Sequence, residues 1–255
     1  MSPAPSDTSP AAASIDRGEV KKFADLAQRW WDPDGPMRPL HRINPVRLAY
    51  LRERIDAHFG TDAGSFRPLD GRTVLDIGCG AGLICEPLAR LGGTITGIDP
   101  AAENIAVAKL HAEQSGLAID YRATTVEEVA SGGERFDLVL ALEVVEHVAD
   151  VPGFVASAAA CLRPGGLTVF STINRSLRAF TLAIVGAEYV LRWLPVGTHD
   201  WEKFVRPDEL TRAMRAAGLA QDDRRGLVFN PLANRWSLSG DTAVNYFLSA
   251  TKPGA

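Results

Sequence analysis

The sequence predicts an α/β fold with a mostly parallel sheet flanked by helices, and three observations lead there. Short apolar runs alternate with helical segments from residue 73 onward. The first run passes straight into a glycine-rich turn, and an acid closes the second run roughly 20 residues beyond the first glycine. Alternation of this kind makes neighbouring strands parallel, because each intervening helix carries the chain back to the end of the sheet from which it left.

The predicted strands are 73–77, 94–98, 119–122, 138–142 and 167–171. Gly92-Gly93 and Ser115-Gly116 each end a helix, and Arg163-Pro164-Gly165-Gly166 forms a turn into the fifth strand. Beyond it come a helical, largely apolar segment over 176–194, a helix opened by Pro207-Asp208-Glu209, and strand-like runs at 227–229 and 244–248. Ahead of the first strand, Asp16-Arg17-Gly18-Glu19 has the form of a capping box. Val20, Phe23, Ala27, Trp30 and Trp31 then recur at helical spacing up to the breaker Asp32-Pro33-Asp34-Gly35-Pro36. Asn44-Pro45 is expected to be the N-cap and first position of a second helix, with Val46, Leu48, Leu51 and Ile55 inward. The expected organisation is a disordered tail over 1–18, a helical extension over 19–60 and one main domain over 61–252, with a lid inserted at about 174–203.

Composition narrows the function classes. With 255 residues, 46% hydrophobic and 23% charged, the chain is long enough for one substantial core. A formal charge of -4 argues against a nucleic-acid partner held by charge over the whole surface. Cys79, Cys85 and Cys161 make neither a disulfide framework nor a zinc pair, which fits the reducing cytosol. No secretion or transit signal is evident at the N-terminus. The longest apolar candidate, 179–187, contains Thr181 between Arg178 and Glu188 and is too short to span a bilayer. The protein is therefore expected to be cytoplasmic, either soluble or peripheral on a membrane face.

The strongest chemical signal is Val74-Leu75-Asp76-Ile77-Gly78-Cys79-Gly80-Ala81-Gly82. Glycines let the backbone turn sharply and approach a ligand closely. Asp99 stands where a carboxylate would accept hydrogen bonds from the two hydroxyls of an adenosine ribose. A dinucleotide loop requires glycine at the position of Leu83, so the spacing is wrong for pyrophosphate. Asp76 would repel phosphates, yet it suits a ligand that carries an ammonium group and a sulfonium. S-adenosylmethionine has both. A bare strand-to-helix turn, with Asp99 capping the next helix, is the blander alternative.

Several other segments carry a family resemblance: Arg29-Trp30-Trp31-Asp32, Leu40-His41-Arg42-Ile43-Asn44-Pro45-Val46-Arg47, Ala108-Lys109-Leu110-His111, Val185-Gly186-Ala187-Glu188-Tyr189, Gly197-Thr198-His199-Asp200 and Val244-Asn245-Tyr246. From about Gly18 to Ser249 the chain resembles the ubiquinone biosynthesis O-methyltransferases. The resemblance implies a Rossmann-like class I methyltransferase fold with a seven-stranded sheet. It also implies methylation of a phenolic hydroxyl on polyprenylated aromatic intermediates at two steps of quinone assembly. It places Arg47, Gly78, Asp99 and Leu142 at the cofactor. A guanidinium can grip the methionine carboxylate bidentately, and an apolar Leu142 can cover the adenine. Taken alone, Arg47 reads more readily as part of a solvated helix face, where Arg is usually found.

Methyl transfer from a sulfonium needs alignment of the acceptor oxygen and help in removing its proton, since a phenol titrates near about 10. Glu143, Glu146 and His147 follow the fourth strand and would share one face of a helix. Three roles are open: holding Mg²⁺ or another divalent cation, direct base catalysis by His147, or packing beside the cofactor. His199 and Asp200 are weaker candidates for acceptor contacts. From 151 to 187 there is no acid, while Arg163, Arg175 and Arg178 are present and Arg192 follows. With Phe180, Leu182, Ile184, Val185, Tyr189, Leu191 and Trp193, this stretch suits either a lid on an anionic membrane surface or a helix buried against the sheet. The rival functions are methylation of another small molecule and a non-catalytic scaffold within a quinone-synthesis assembly. Leu83 and Asp76 disfavour an oxidoreductase.

Overall fold

The computed structural model describes residues 29–179, 201–231 and 233–254. Successive side chains of a strand face opposite sides of the sheet, so strands apolar at consecutive positions need cover on both faces. In β4 (Phe136–Leu142), Val139 and Ala141 enter one core while Leu138 and Leu140 enter the other. The first core also receives Phe154 and Val155 of α5 (Val151–Ala160) and Leu210 and Met214 of α7 (Pro207–Ala216). The second receives Leu51 and Ile55 of α1 (Arg38–Phe59), Leu88 of α2 (Cys85–Arg90) and Ile105 of α3 (Ala102–Gln114).

β1 (Thr73–Ile77), β2 (Thr94–Asp99), β3 (Asp120–Ala123), β4 and β5 (Leu162–Ile173) are parallel. β6 (Ala220–Asn230), β7 (Arg235–Ser239) and β8 (Asn245–Thr251) complete the order β3-β2-β1-β4-β5-β8-β6-β7, with β8 antiparallel to both neighbours. Among the described residues, α4 (Val126–Ser131) and the short α6 (Leu177–Ala179) are further helices. All carboxyl ends of the parallel strands lie along one edge, where open α/β sheets bind ligands.

The sheet has eight strands rather than seven. The additional strand, β7, contributes only the half-buried Trp236 and Leu238 to the core, so it lacks the apolar run that marks the others. The turn expected at 163–166 is a bulge within β5: Leu162 pairs with Phe136, Leu167 pairs with Leu138, and Gly165 has φ 76. The helix expected to open at Asn44-Pro45 instead begins at Arg38, with Pro39 in its first turn and Pro45 in its interior. Pro45 forfeits one intrahelical hydrogen bond. Ile43, Asn44 and Arg47 are buried, so tertiary packing rather than local capping sets where this helix starts. The 1–18 tail, the predicted helix before residue 29 and most of the lid, including His199 and Asp200, lie outside the described residues. Among the described residues no helix is long and apolar enough to cross a membrane.

Candidate active site

The glycine loop leaves β1 at Gly78, and its backbone is tied to β2: the N–H groups of Gly78 and Cys79 donate to the Ile98 carbonyl at 2.8 and 3.0 Å. Gly78, Gly80 and Gly82 have φ of 69, 54 and 88, a region that other residues enter only under strain. A Cβ on Gly78 would lie 2.4 Å from Val144 Cγ2, and one on Gly82 would lie 2.1 Å from the Tyr121 hydroxyl. The loop is thus packed from both sides.

Asp99, at the end of β2, is buried. Its Oδ2 accepts from the Gly80 N–H at 3.1 Å, and its Oδ1 accepts from the Ala101 N–H at 2.9 Å and Asn104 Nδ2 at 3.3 Å. The carboxylate therefore faces the loop, as the spacing predicts, while also holding the start of α3. Asp76 is buried one residue before the end of β1 and accepts from Cys85 Sγ at 3.1 Å. Burial pushes its carboxyl up to about 7, against the opposing effects of the Cys85 hydrogen bond and the Arg47 charge.

Arg47 reaches the same edge from α1 and is buried. Its Nη2 lies 3.2 Å from Glu143 Oε1, and its Nη1 is 3.4 Å from Asn44 Oδ1. Its Nε is buried with no hydrogen-bond partner among the described residues. A buried unpaired donor is costly, so this atom is suited to an incoming anion. Leu142 is half-buried at the end of β4 on the α1 side of the sheet.

Glu143, Glu146 and His147 do not share a face. Glu143 takes φ 58, and only Val145–His147 form a single 3-10 turn, so the helix assumed from their spacing is absent. Glu143 turns to Arg47 and accepts from Ser171 Oγ at 2.9 Å. Glu146 is buried and accepts from Thr172 Oγ1 at 2.6 Å; burial and then the neighbouring Glu143 raise its pKa. His147 is exposed. Among the described residues no three His, Cys, Asp or Glu side chains are grouped to hold a metal ion.

Ser171 and Thr172 carried no motif signal. They matter because the register of β5 against β4 sets Ser171 beside Leu142, one step from Glu143. Arg175 pairs with Glu209 and Arg178 pairs with Asp241, which offsets charge in the stretch that the sequence marks as cationic. A cavity of about 640 Å³ opens just past His147, lined by Val148, Pro152, Phe204 and Val205 together with Arg175 and Arg212.

A methyltransferase-domain family model matches residues 40–222. The chain is 58% identical over 248 residues to a ubiquinone biosynthesis O-methyltransferase of Methylobacterium sp. (strain 4-46), covering 97% of this chain and 100% of that one. The chain belongs to the ubiquinone biosynthesis O-methyltransferase family. A second member of this family, from Chelativorans sp. (strain BNC1), is 57% identical, with 95% of this chain and 96% of that one covered. Among solved structures, magnesium protoporphyrin IX methyltransferase from Synechocystis PCC 6803, with bound SAH, superposes with a TM-score of 0.56. At 16% identity, over 91% of this chain and 94% of that one, the likeness shows the shared fold.

Proposed function

We propose that the protein transfers a methyl group from S-adenosylmethionine to a phenolic hydroxyl of prenylated aromatic intermediates in ubiquinone biosynthesis, at two steps. The observation that carries the donor assignment is the pairing of Arg47, with its unsatisfied buried Nε, and buried Asp76 beside the glycine loop. One offers a cation to a carboxylate and the other a carboxylate to an ammonium, which together suit the zwitterionic end of an amino acid. Asp99 takes the ribose diol, and the left-handed loop allows the backbone to approach the nucleoside. The donor supplies an already activated methyl group. The protein's own work is alignment, exclusion of water and removal of the phenolic proton.

His147 is the proton acceptor in this reading, because it is the group at this strand end whose ordinary pKa lies nearest neutrality. Glu143 positions Arg47, and Glu146 braces the turn through Thr172. A divalent ion held by Glu143, Glu146 and His147 would require Glu143 to leave Arg47. Purified enzyme with a prenylated catechol is expected to keep its turnover after exhaustive chelation and to lose about a hundredfold or more with His147→Ala. Loss of turnover on chelation, restored by Mg²⁺, would return the metal reading.

The cavity beyond His147 has an apolar wall of Val148, Val151, Pro152, Phe204 and Val205 that could take the start of a prenyl chain, and a charged wall of Arg175, Glu202, Lys203, Glu209 and Arg212. The exposed Leu177 marks the near end of the lid, which we assign to an anionic membrane surface on the cytoplasmic side. Such a peripheral placement would give access to a lipid-soluble acceptor, and a quinone-synthesis assembly would serve the same end. We propose the organisation expected from the sequence: a disordered tail over 1–18, a helical extension over 19–60 and a catalytic domain over 61–252 with its lid at about 174–203.

The raised Asp76 pKa implies a pH-dependent stability. Unfolded, this acid titrates near about 4, so between about pH 4 and 7 the folded state holds the extra proton. Its contribution is full below the unfolded value and is lost as pH rises through the folded one. Asp76→Asn, which removes the buried charge, is therefore expected to melt progressively higher than wild type as pH rises from 5 to 8, while losing donor affinity. A constant Tm difference across this range would contradict the argument.

A further inference from the structure

Three segments that stand out in the sequence have no part in the site as described so far: Arg29-Trp30-Trp31-Asp32, the His41 end of Leu40-His41-Arg42, and Ala108-Lys109-Leu110-His111. The structure brings them together against the glycine loop. The Trp30 indole lies over Gly80, where a Cβ would come within 3.1 Å of Trp30 Cη2, and it packs with Ala81, Val107 and Leu110. The Trp31 ring stacks on His111 at a centroid distance of 3.6 Å and an interplanar angle of 2°. His111 Nδ1 donates to buried Glu86 Oε1 at 2.6 Å, which joins α3 to the helix that follows the loop. His41 Nε2 donates to the Trp30 carbonyl at 2.8 Å, anchoring the pair to the helix that carries Arg47.

We infer that Trp30 and Trp31 are positioning residues for the methyl donor, acting as a clamp on the glycine loop. The path of the effect is short. Trp30 covers Gly80 from outside, and the Gly80 N–H is bonded to the Asp99 carboxylate that takes the ribose. With φ 54, Gly80 holds a backbone conformation that ordinary local preferences do not enforce, so a flat rigid ring against it restricts the loop to its binding shape. Preorganisation of this kind appears as donor affinity, because a loop already ordered loses less entropy on binding. Among the described residues, the contacts of the two rings lie on the glycine loop, α3 and His41, away from the reacting end of β4. The effect should therefore fall on the donor's KM and leave turnover at saturation alone.

This inference rests on the loop being the donor site, and calorimetry with S-adenosylhomocysteine separates the two. Trp30→Ala is expected to weaken binding by about tenfold, with kcat at saturating donor and the acceptor's KM both within about twofold of wild type. Trp30→Phe should recover most of the affinity, since a flat ring rather than an indole N–H is what the contact needs. Amide exchange should quicken in peptides covering 76–86 and stay unchanged in β4 and β5. If Trp30→Ala fails to give a cooperative melt, His111→Ala, which removes the ring beneath Trp31, is expected to weaken binding by about threefold through the same path. Wild-type protein that fails to bind S-adenosylhomocysteine would remove the donor reading itself. Wild-type binding matched by a folded Trp30→Ala, or by His111→Ala where that variant is used, would overturn the clamp alone, as would an equal loss in kcat and both KM values.

Discussion

Arg47→Ala is expected to lower kcat/KM for the methyl donor by about two orders of magnitude, because truncating one partner of a buried charge pair costs roughly 2–5 kcal/mol. The guanidinium has two tasks. Its Nη2 neutralises Glu143 at 3.2 Å, and its buried Nε has no hydrogen-bond partner among the described residues. Alanine removes both and, among the described residues, leaves the Ser171 hydroxyl at Glu143 Oε1. Arg47→Lys separates the two effects. An ammonium can still pair with Glu143, but it lacks the planar fork needed to serve a second anion at the same time. The lysine variant should therefore melt near wild type while its donor KM stays raised by about tenfold, since a lost charge-assisted hydrogen bond is worth about 1.5–3 kcal/mol. Steady-state kinetics with thermal melts for both variants make the check. An unchanged donor KM in a folded Arg47→Ala would remove Arg47 from the donor site.

Gly82→Ala is expected to be the most damaging small substitution in the loop, with donor binding lost and Tm reduced by several degrees. Two costs add. At φ 88 an L side chain is strained by roughly 1–2 kcal/mol. The new Cβ would also lie 2.1 Å from the Tyr121 hydroxyl and 3.0 Å from its Cζ. Tyr121 is buried in β3, so it has little room to yield, and among the described residues its hydroxyl has no hydrogen-bond partner. Adding Tyr121→Phe to Gly82→Ala deletes the nearest contact and should recover part of the Tm, leaving the backbone strain. Calorimetry and melts on the single and double variants measure both terms; no recovery in the double variant would show that Tyr121 does not set the need for glycine. Gly82 thus owes its identity to packing from β3, whereas its spacing alone says only that the loop is not built for pyrophosphate.

The glycine-loop part of the candidate site was legible because it lies on two strands and the turn after one of them, whereas Arg47 comes from α1 and only the family resemblance placed it there. Gly78, Gly80 and Asp99 fall at spacings that a strand–turn–helix unit makes adjacent, and the structure joins Gly80 to Asp99 directly. The reacting half was readable only in place. Glu143, Glu146 and His147 do follow β4, but their grouping was inferred from a helix that the left-handed Glu143 prevents. Ser171 and Thr172 left no signal, since a hydroxyl residue in a strand is ordinary until the register shows which acid it meets.

The amino-acid sequence by itself determined the parallel strands, the glycine loop and the acid that answers it, because apolar runs, glycines and short spacings act over a few residues of chain. The tertiary structure alone decided that Arg47 meets Glu143, that Trp30 rests on Gly80, that Tyr121 confines Gly82, and that an eighth strand closes the sheet. Each of these joins residues far apart in the chain, and such contacts depend on how strands align and how helices pack across them, which no local pattern encodes.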